Sequence, residues 1–382
     1  MEIDKFHVTG FRPVRLTVDR IGPFQEKLWS FDFTDRHGRP CNYYLLASEN
    51  GRGKTTLLDL MACMMDMLGR DQLNEFGIES LDKGGGRAQW DILLDIDQDG
   101  KKSSYIFSLI AGNIGEGTVL KEWNHEELEK IGAEAWHLYG FRKSASGRIK
   151  TIHETNSWVN DFSILLKNER GRRLLEFEND SLTYPTLLYF SAYRNIETIS
   201  ESERKITTPE GWGYNIVNKF GKEGRQWTHS LDNLLVWLKW IDDGRFERSL
   251  AIVNKRVFRG KNKFLKGVRK DPPEAIIENE GHEHRIDQLS SGEKSLLQIC
   301  LRMGAHMTSN TILLIDEMDV HLHSKWQHKI LNWLKDMAIA YPGLTIISST
   351  HSREIIRAFA FEVEEKGLRK SGYLIENDLN MM

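Results

Sequence analysis

One segment near the amino terminus has the residue types that bind phosphate groups. It lies between an apolar strand pattern and a helix pattern, and it reads Ser48-Glu49-Asn50-Gly51-Arg52-Gly53-Lys54-Thr55. In such a loop the backbone N–H groups and the helix N-terminus donate to phosphate oxygens, the lysine reaches the outer phosphates, and the threonine hydroxyl ligates Mg²⁺. We therefore predict a nucleotide-phosphate site formed by Asn50, Gly51, Arg52, Gly53, Lys54, Thr55 and Thr56.

This loop departs from the GxxxxGK[ST] pattern at one position, because Ser48 stands where the first glycine is expected. Both glycines that would lie next to the phosphates, Gly51 and Gly53, are present. The alternative interpretation is a surface turn that contains Gly-x-Gly-Lys-Thr by chance. The strand pattern before the loop and the helix pattern after it argue against that alternative.

Two acidic residues follow a buried strand pattern later in the chain. The apolar run of residues 312–315 ends at Asp316 and Glu317. Ligands of open α/β sheets bind at the carboxyl ends of the strands. We predict that Asp316 completes the Mg²⁺ site with Thr55, and that Glu317 polarises the attacking water as a catalytic residue. The plainer alternative is an acidic strand end that caps a helix.

A third motif, Leu289-Ser290-Ser291-Gly292-Glu293-Lys294, precedes another helix pattern. Serine, glycine and a helix N-terminus together present donors to an anion. Because this motif lies far along the chain from the phosphate loop, we expect Ser290, Ser291 and Gly292 to contact a nucleotide bound by another subunit. A histidine, His351, follows the next strand pattern, and we expect it to reach the γ phosphate as a second catalytic residue.

The elements that must position these motifs alternate along the chain. Strand patterns before residue 118 predict a mostly antiparallel lobe, and helix and strand patterns alternate from residue 286 to 375 as in a parallel sheet. Residues 230–257 have the i, i+3, i+4 apolar spacing of a buried helix stripe. The predicted fold class is α/β, with a mixed sheet, an antiparallel β lobe and a helical insertion. We place a discontinuous head at residues 1–118, 186–200 and 285–382, and a mixed or helical insertion at residues 119–185 and 201–284.

Composition narrows the functional classes. The 52 Lys and Arg residues nearly balance the 55 Asp and Glu residues, which excludes a globally basic nucleic-acid coat and an acidic disordered tail. The 3 cysteines match neither a metal spacing nor a disulfide framework. The sequence has no apolar run long enough to span a bilayer and no secretory signal, so we expect a soluble, cytoplasmic protein without a membrane partner.

Taken together, the motifs resemble the ATP-binding-cassette (ABC) type of ATPase found in SMC, RecF and OLD-like proteins, which are often grouped as AAA family ATPases. The resemblance rests on Walker A (residues 48–55), a signature motif (289–294), Walker B (312–317), a D-loop region (318–323) and a switch histidine, His351. The turn Ile21-Gly22-Pro23-Phe24 is also similar to this class. The resemblance implies an ABC-type P-loop ATPase head that uses ATP and Mg²⁺ and releases ADP and phosphate in a slow, regulated reaction.

The same resemblance implies a homodimer or a higher homo-oligomer. Two ATP molecules would each lie between the Walker motifs of one chain and the signature serine of the other. One family element is missing. The Q-loop glutamine is expected after the strand that leads into the insertion, but that strand ends Ser191-Ala192-Tyr193-Arg194 and has no glutamine. The Q-loop role is therefore unassigned, and Gln89 is a candidate for it.

Within the class, the signature Ser-Ser-Gly-Glu-Lys and the Asn-Gly of the phosphate loop resemble the RecF and OLD side. The chain lacks heptads, which excludes a long coiled-coil arm, and we expect a stand-alone ATPase whose effector is another chain. This architecture resembles the ATPase subunits of two-gene antiphage systems such as Septu and PARIS, which work with a separate nuclease-type partner. The preferred interpretation is a sensor or regulatory subunit of such a system. The alternatives are a RecF-like DNA repair ATPase that binds DNA directly and, less favoured, an ABC transporter cassette.

Two further patterns leave their interpretation open. Residues 245–270 carry ten basic residues against the single acid Glu247, and this run could contact DNA or RNA phosphates, form a solvated face, or bind an acidic protein. The histidines His321, His323 and His328 fit neither a Cys/His zinc module nor a His-Glu-x-x-His helix, which disfavours zinc. The ten basic residues are Arg245, Arg248, Lys255, Arg256, Arg259, Lys261, Lys263, Lys266, Arg269 and Lys270.

Overall fold

A computed structural model describes residues 6–35, 37–144, 146–152, 157–170, 183–221, 226–260, 262–361 and 370–374. Its strands form three sheets, and helices pack on both faces of the parallel sheet. No helix within these residues is long and apolar enough to cross a membrane. The helices are α1 (Lys54–Asp66), α2 (Glu79–Asp82), α3 (His125–Ile131), α4 (Ser157–Glu169), α5 (Leu231–Ile241), α6 (Arg245–Arg256), α7 (Ser291–His306), α8 (Ser324–Ala340) and α9 (Arg353–Phe361).

The first sheet contains β1 (Phe6–Asp19), β2 (Trp29–Asp32), β4 (Arg87–Gln98), β5 (Lys101–Gly112), β6 (Ala135–Lys143) and β7 (Ile149–Ile152). Its strand order is β2-β1-β4-β5-β6-β7. Neighbouring strands are antiparallel except for β5 and β6, which run parallel and make this the mixed sheet. The predicted antiparallel lobe is therefore confirmed.

A second sheet contains β3 (Tyr43–Ala47), β8 (Pro185–Phe190), β9 (Val217–Phe220), β13 (Asn310–Ile315), β14 (Thr345–Thr350) and β15 (Lys370–Leu374). Its order is β15-β3-β14-β13-β8-β9, and the paired strands run parallel. The carboxyl ends of β3, β14, β13 and β8 consequently meet at one edge. This edge is where the phosphate loop, the acidic pair and the histidine were each expected.

Side chains of the parallel sheet alternate between two hydrophobic cores, as the two-residue period of a strand requires. On β13, Ile312 and Leu314 pack with α1 and the first sheet, whereas Leu313 and Ile315 pack with α5, α7 and α8. Both faces of the strand are buried, which explains its continuous apolar run. The sheet is thus held from both sides, and its carboxyl edge is a rigid platform.

The predicted insertion differs from a purely helical one. Its strands β6 and β7 extend the first sheet. Residues 263–285 form a third, antiparallel sheet of β10 (Lys263–Lys270), β11 (Pro273–Asn279) and β12 (His282–Arg285). The strands β10 and β12 are rich in charged residues and bury few side chains, so they carry little apolar periodicity, whereas β11 buries the four consecutive residues 274–277. The division into head and insertion at the predicted boundaries stays a prediction.

Candidate active site

The phosphate loop joins β3 to α1, as its sequence predicts. Lys54 is buried, and its Nζ donates to the backbone carbonyl oxygens of Ser48 at 2.6 Å and Glu49 at 2.9 Å. The ammonium group therefore lies within the curve of the loop. Ser48, the departure from the consensus, contributes a second acceptor, because its Oγ lies 3.3 Å from the same Nζ.

Gly53 is the position in this loop where a side chain cannot be accommodated. Its φ is +91°, a left-handed conformation, and a Cβ added there would lie 2.5 Å from the ring of Phe24 and 2.7 Å from Pro23. The early turn of residues 21–24 thus packs directly against the loop. This contact gives the Gly-Pro-Phe turn, identified from the sequence by resemblance, a physical role in shaping the phosphate site.

The remaining loop residues face outward. Asn50, Gly51 and Thr55 are exposed, and Arg52 and Thr56 are half-buried. The guanidinium of Arg52 lies 3.6 Å from the Glu49 carboxylate, across the mouth of the loop. The exposed backbone from Asn50 onward and the first turn of α1 are therefore accessible to an anion.

Thr55 and the acidic pair meet although they are far apart in the sequence. Thr55 Oγ1 donates to Asp316 Oδ2 at 2.8 Å. Ser349, at the end of β14, donates from its Oγ to Asp316 Oδ1 at 2.6 Å and accepts the backbone N–H of Glu317 at 2.8 Å. A single hydroxyl therefore positions both acidic residues. Ser349 was not predicted as a site residue. The hydroxyl-bearing run Ser348-Ser349-Thr350 at the end of a buried strand could have indicated it.

The oxygen atoms at this point fit a magnesium ion. Mg²⁺ prefers hard oxygen ligands and is usually bound by one or two carboxylates together with substrate phosphates and water. Thr55 supplies a hydroxyl and Asp316 a carboxylate, 2.8 Å apart and next to the phosphate loop. The residues predicted to hold the metal are therefore adjacent, and their donor chemistry suits that ion.

The turn after β13 is held by a buried arginine. Arg194 is 2% exposed and donates to the carbonyl oxygens of Asp316 at 2.7 Å and Glu317 at 2.9 Å. Burial lowers the pKa of Arg194 to about 10, and the nearby carboxylates of Asp316, Asp319 and Glu317 oppose that shift. In the sequence, Arg194 was noted only as the last residue of a segment that lacks the expected Q-loop glutamine, and no role was predicted for it.

The switch histidine lies beside the D-loop region. His351 is exposed, and its Nε2 is 3.6 Å from Asp319 Oδ2. The other carboxylate oxygen of Asp319 accepts a hydrogen bond from Thr350 Oγ1 at 2.5 Å. The buried Asp319 therefore connects the D-loop region to the end of β14 and faces the histidine ring.

The signature motif forms the N-terminus of α7. Ser290 is the N-cap residue. Its Oγ donates to Glu293 Oε2 at 2.9 Å and accepts the backbone N–H of Glu293. This reciprocal capping box explains the Ser-x-x-Glu spacing structurally. Ser290 and Ser291 are exposed, and a Cβ on Gly292 would lie 3.0 Å from the His321 carbonyl oxygen. The motif therefore contacts the D-loop region of its own chain and presents both serines outward.

Gln89 lies in the interior of the first sheet, in β4. Its Nε2 donates to Asp91 Oδ1 and to the Lys121 carbonyl, both at 2.8 Å, and its Oε1 accepts the N–H groups of Leu120 and Lys121. Gln89 has a relative exposure of 0%, so its side-chain amide is fully buried within this hydrogen-bond network. The structure therefore gives the candidate Q-loop residue a packing role.

Half of the basic residues of this run pair with acids that lie outside residues 245–270. Five of its members form ion pairs. No ion pair is formed by Arg248, Lys255, Arg259 or Lys270 within the described residues, and Lys261 lies outside them. The local charge excess is therefore smaller than the sequence suggests. The pairs are Arg245 with Asp243, Arg256 with Asp336, Lys263 with Glu293, Lys266 with Glu278 and Glu283, and Arg269 with Glu274 and Glu283.

The three histidines of the zinc alternative lie at the surface. His321 follows the acidic turn, His323 is the N-cap residue of α8, and His328 lies on that helix. Across the described ranges, no group of three or more His, Cys, Asp or Glu side chains is arranged to hold a metal ion.

A family model described as "AAA domain, putative AbiEii toxin, Type IV TA system" matches residues 49–357. The chain belongs to this family. The matched span contains the phosphate loop from Glu49 onward, the signature motif, the acidic pair and His351. The AAA-type ATPase predicted from the order of the motifs is thereby confirmed.

Curated relatives match shorter parts of this AAA-family chain. "Retron Vc95 probable ATPase" from Vibrio cholerae serotype O1 biovar El Tor is 22% identical over 253 residues, covering 50% of this chain and 49% of the relative. Septu protein PtuA from Bacillus thuringiensis is 31% identical over 106 residues, covering 24% of this chain and 26% of the relative. The chain spans half or less of the length of these curated relatives.

A solved Smc head bound to the C-winged helix domain of ScpA aligns over 91% of both chains with 11% identity and a TM-score of 0.41.

Proposed function

We propose that this chain binds ATP with Mg²⁺ and hydrolyses it to ADP and phosphate. The observation that carries the proposal is the convergence of Lys54, Thr55, Asp316, Ser349 and Glu317 at one edge of the parallel sheet. Lys54 and the loop N–H groups would bind the β and γ phosphates, and Thr55 and Asp316 would hold the metal. When bound, Mg²⁺ neutralises phosphate charge and orients the phosphate groups.

In this proposal Glu317 orients a water molecule and accepts its proton. The carboxylate is half-buried at the end of β13, and its backbone is fixed by Ser349 through the N–H and by Arg194 through the carbonyl. A general base must be held within hydrogen-bond reach of its water, so a fixed backbone favours this role. His351, which faces Asp319, would contact the γ phosphate from the end of β14.

The proposal extends to a homodimer that binds two ATP molecules. The exposed Ser290 and Ser291 at the N-terminus of α7 are donors that face outward, as a contact with the partner's nucleotide requires. Complementation between two inactive variants tests this arrangement. A Lys54→Ala chain lacks a working phosphate loop, and a Ser290→Arg chain lacks a working signature motif.

In a mixed dimer of these two variants, one composite site would keep both intact halves. We expect each variant alone to be inactive and the mixture to regain ATP hydrolysis, up to half the wild-type rate for each mixed dimer. Asn124→Arg is the matched control, because Asn124 and Glu127 form an equivalent exposed capping box on α3. That variant should hydrolyse ATP normally, and a mixture without activity would contradict the shared site.

We further propose that the chain is the ATPase subunit of an antiphage defence system and controls a separate, nuclease-type effector. The similarity to a Septu protein and to retron ATPases supports this assignment. The test is plaque formation on cells that carry the chain with its neighbouring genes. We expect protection that disappears with Lys54→Ala. Protection that persists in the variant, or that is absent in the wild type, would contradict the defence role.

A further inference from the structure

The loop that leaves β8 is bound to two elements at once. On one side Arg194 donates to the carbonyl oxygens of Asp316 and Glu317, and on the other its Nε donates to Ser295 Oγ on α7 at 2.8 Å. Ser295 is 1% exposed, so this bond lies in the protein interior. The guanidinium is therefore a rigid bridge between the acidic turn and the helix that begins with the signature motif.

Two neighbouring bonds strengthen the same connection. Lys294 Nζ donates to the Ile196 carbonyl at 3.4 Å, and Gln298 Nε2 donates to the Asn195 carbonyl at 3.1 Å. Residues 194–196 are thus joined to the first two turns of α7. A displacement of the signature end of α7 would carry this loop with it, and the loop holds the backbone of Glu317.

The turn at Glu317 requires such support. Its φ is +46°, and the left-handed conformation costs a residue with a side chain about 1 kcal/mol. Its N–H donates to Ser349 Oγ and its carbonyl accepts from Arg194, so this conformation is held from both sides. Losing either bond would let the carboxylate move away from its position.

We propose that Arg194 is a positioning residue for Glu317, and that its bond to Ser295 makes the signature helix and the catalytic turn of one chain move together. This inference rests on the ATPase function proposed above. Arg194 does not contact the nucleotide in this proposal. It acts by fixing where the Glu317 carboxylate lies, and it makes that position depend on the state of α7.

The first test separates binding from turnover. Ser295→Ala removes the link to α7 but leaves the bonds from Arg194 to the turn, whereas Arg194→Lys keeps the charge but loses the planar fork. We expect both variants to bind ATP within about twofold of wild type and to lose kcat by about 10- to 100-fold, as a misplacement near 1 Å does. Arg302→Lys is the control, because Arg302 also projects from α7 and donates to a carbonyl, that of His229, at 2.7 Å.

The second test uses the mixed dimer of Lys54→Ala and Ser290→Arg chains. Its single working site takes Glu317 from the Ser290→Arg chain and the signature serine from the Lys54→Ala chain. Ser295→Ala should lower hydrolysis when it is placed in the chain that supplies Glu317, and leave hydrolysis unchanged in the other. The opposite pattern would assign the bond to support of the signature motif and overturn the proposal.

Failure of this inference and failure of the proposed function are distinguishable. If the mixed dimer recovers activity and Ser295→Ala keeps the wild-type kcat, the positioning role is wrong and the composite site stands. If the mixed dimer stays inactive while the wild type hydrolyses ATP, the shared site is wrong. The kcat of Ser295→Ala in the otherwise wild-type chain then still decides whether Arg194 positions Glu317.

Discussion

Ser349→Ala is the perturbation whose effect follows most directly from the geometry. The Ser349 hydroxyl is fully buried, donates to Asp316 Oδ1 at 2.6 Å and accepts the Glu317 N–H at 2.8 Å. Alanine removes a hydrogen bond to a carboxylate, worth about 1.5–3 kcal/mol, and leaves a buried N–H without its acceptor, at about 1–3 kcal/mol. We expect the free energy of unfolding to fall by about 3 kcal/mol or more.

The same substitution should affect chemistry more than nucleotide binding. Asp316 and Glu317 both lose a support, whereas the phosphate loop keeps its own contacts. We expect kcat to fall by about 10- to 100-fold, because a misplaced catalytic group costs that much. Steady-state ATP hydrolysis at saturating ATP and Mg²⁺, together with urea unfolding, measures both quantities.

The neighbouring residue offers a matched control. Ser348 lies on the same strand with the same burial, but its Oγ donates to the Tyr43 hydroxyl at 3.3 Å, on the opposite face. Ser348→Ala should cost about 1 kcal/mol of stability and leave kcat unchanged. Equal losses of kcat in the two variants, or a wild-type kcat for Ser349→Ala, would refute the reasoning.

Three further predictions concern the loop, the first sheet and the basic run. Gly53→Ala should abolish nucleotide binding and lower the melting temperature, because the new Cβ would lie 2.5 Å from Phe24; calorimetry with and without ATP measures both, and an unchanged nucleotide affinity would contradict the loop geometry. Burial raises the pKa of Asp91 to about 6 from an ordinary 3.8, so the folded protein favours the protonated carboxyl. The resulting contribution to stability is complete below pH 3.8 and is lost as the pH rises through 6. The free energy of unfolding of Asp91→Asn relative to wild type should therefore increase by about 2 kcal/mol from pH 4 to pH 8, and parallel pH curves would exclude this. Lys255→Glu with Arg259→Glu should weaken salt-dependent DNA binding if the unpaired part of the basic run contacts phosphates, and unchanged binding would end that hypothesis.

Apolar patterns predicted the elements that build the platform. The helical segment of residues 230–257 and the buried strand before Asp316 were located from periodicity, because each buries a continuous face or run against the core. The three strands β10 to β12 were not located, because β10 and β12 contain few apolar residues and the apolar run of β11 is only three residues long, Ala275-Ile276-Ile277. These strands are stabilised by hydrogen bonds to neighbouring strands, and a local sequence pattern does not show which strands will pair.

Local motifs likewise predicted part of the candidate site. The loop around Lys54 and the acids Asp316 and Glu317 were named from residue type and spacing alone. No role was predicted for Ser349 or Arg194, because their roles depend on the order of strands in the parallel sheet. The order β3-β14-β13-β8 brings the ends of non-consecutive strands together, and only that order places a serine and an arginine against the acidic turn.

The most direct test of the central claim is the effect of Glu317→Gln on both turnover and assembly. Glutamine keeps the size of the side chain but cannot accept the proton of the attacking water. We expect this variant to bind ATP, to lose at least about 100-fold in hydrolysis, and to accumulate as an ATP-dependent dimer in light scattering coupled to size exclusion. A variant that hydrolyses ATP at the wild-type rate would contradict the assignment of Glu317 as the catalytic base.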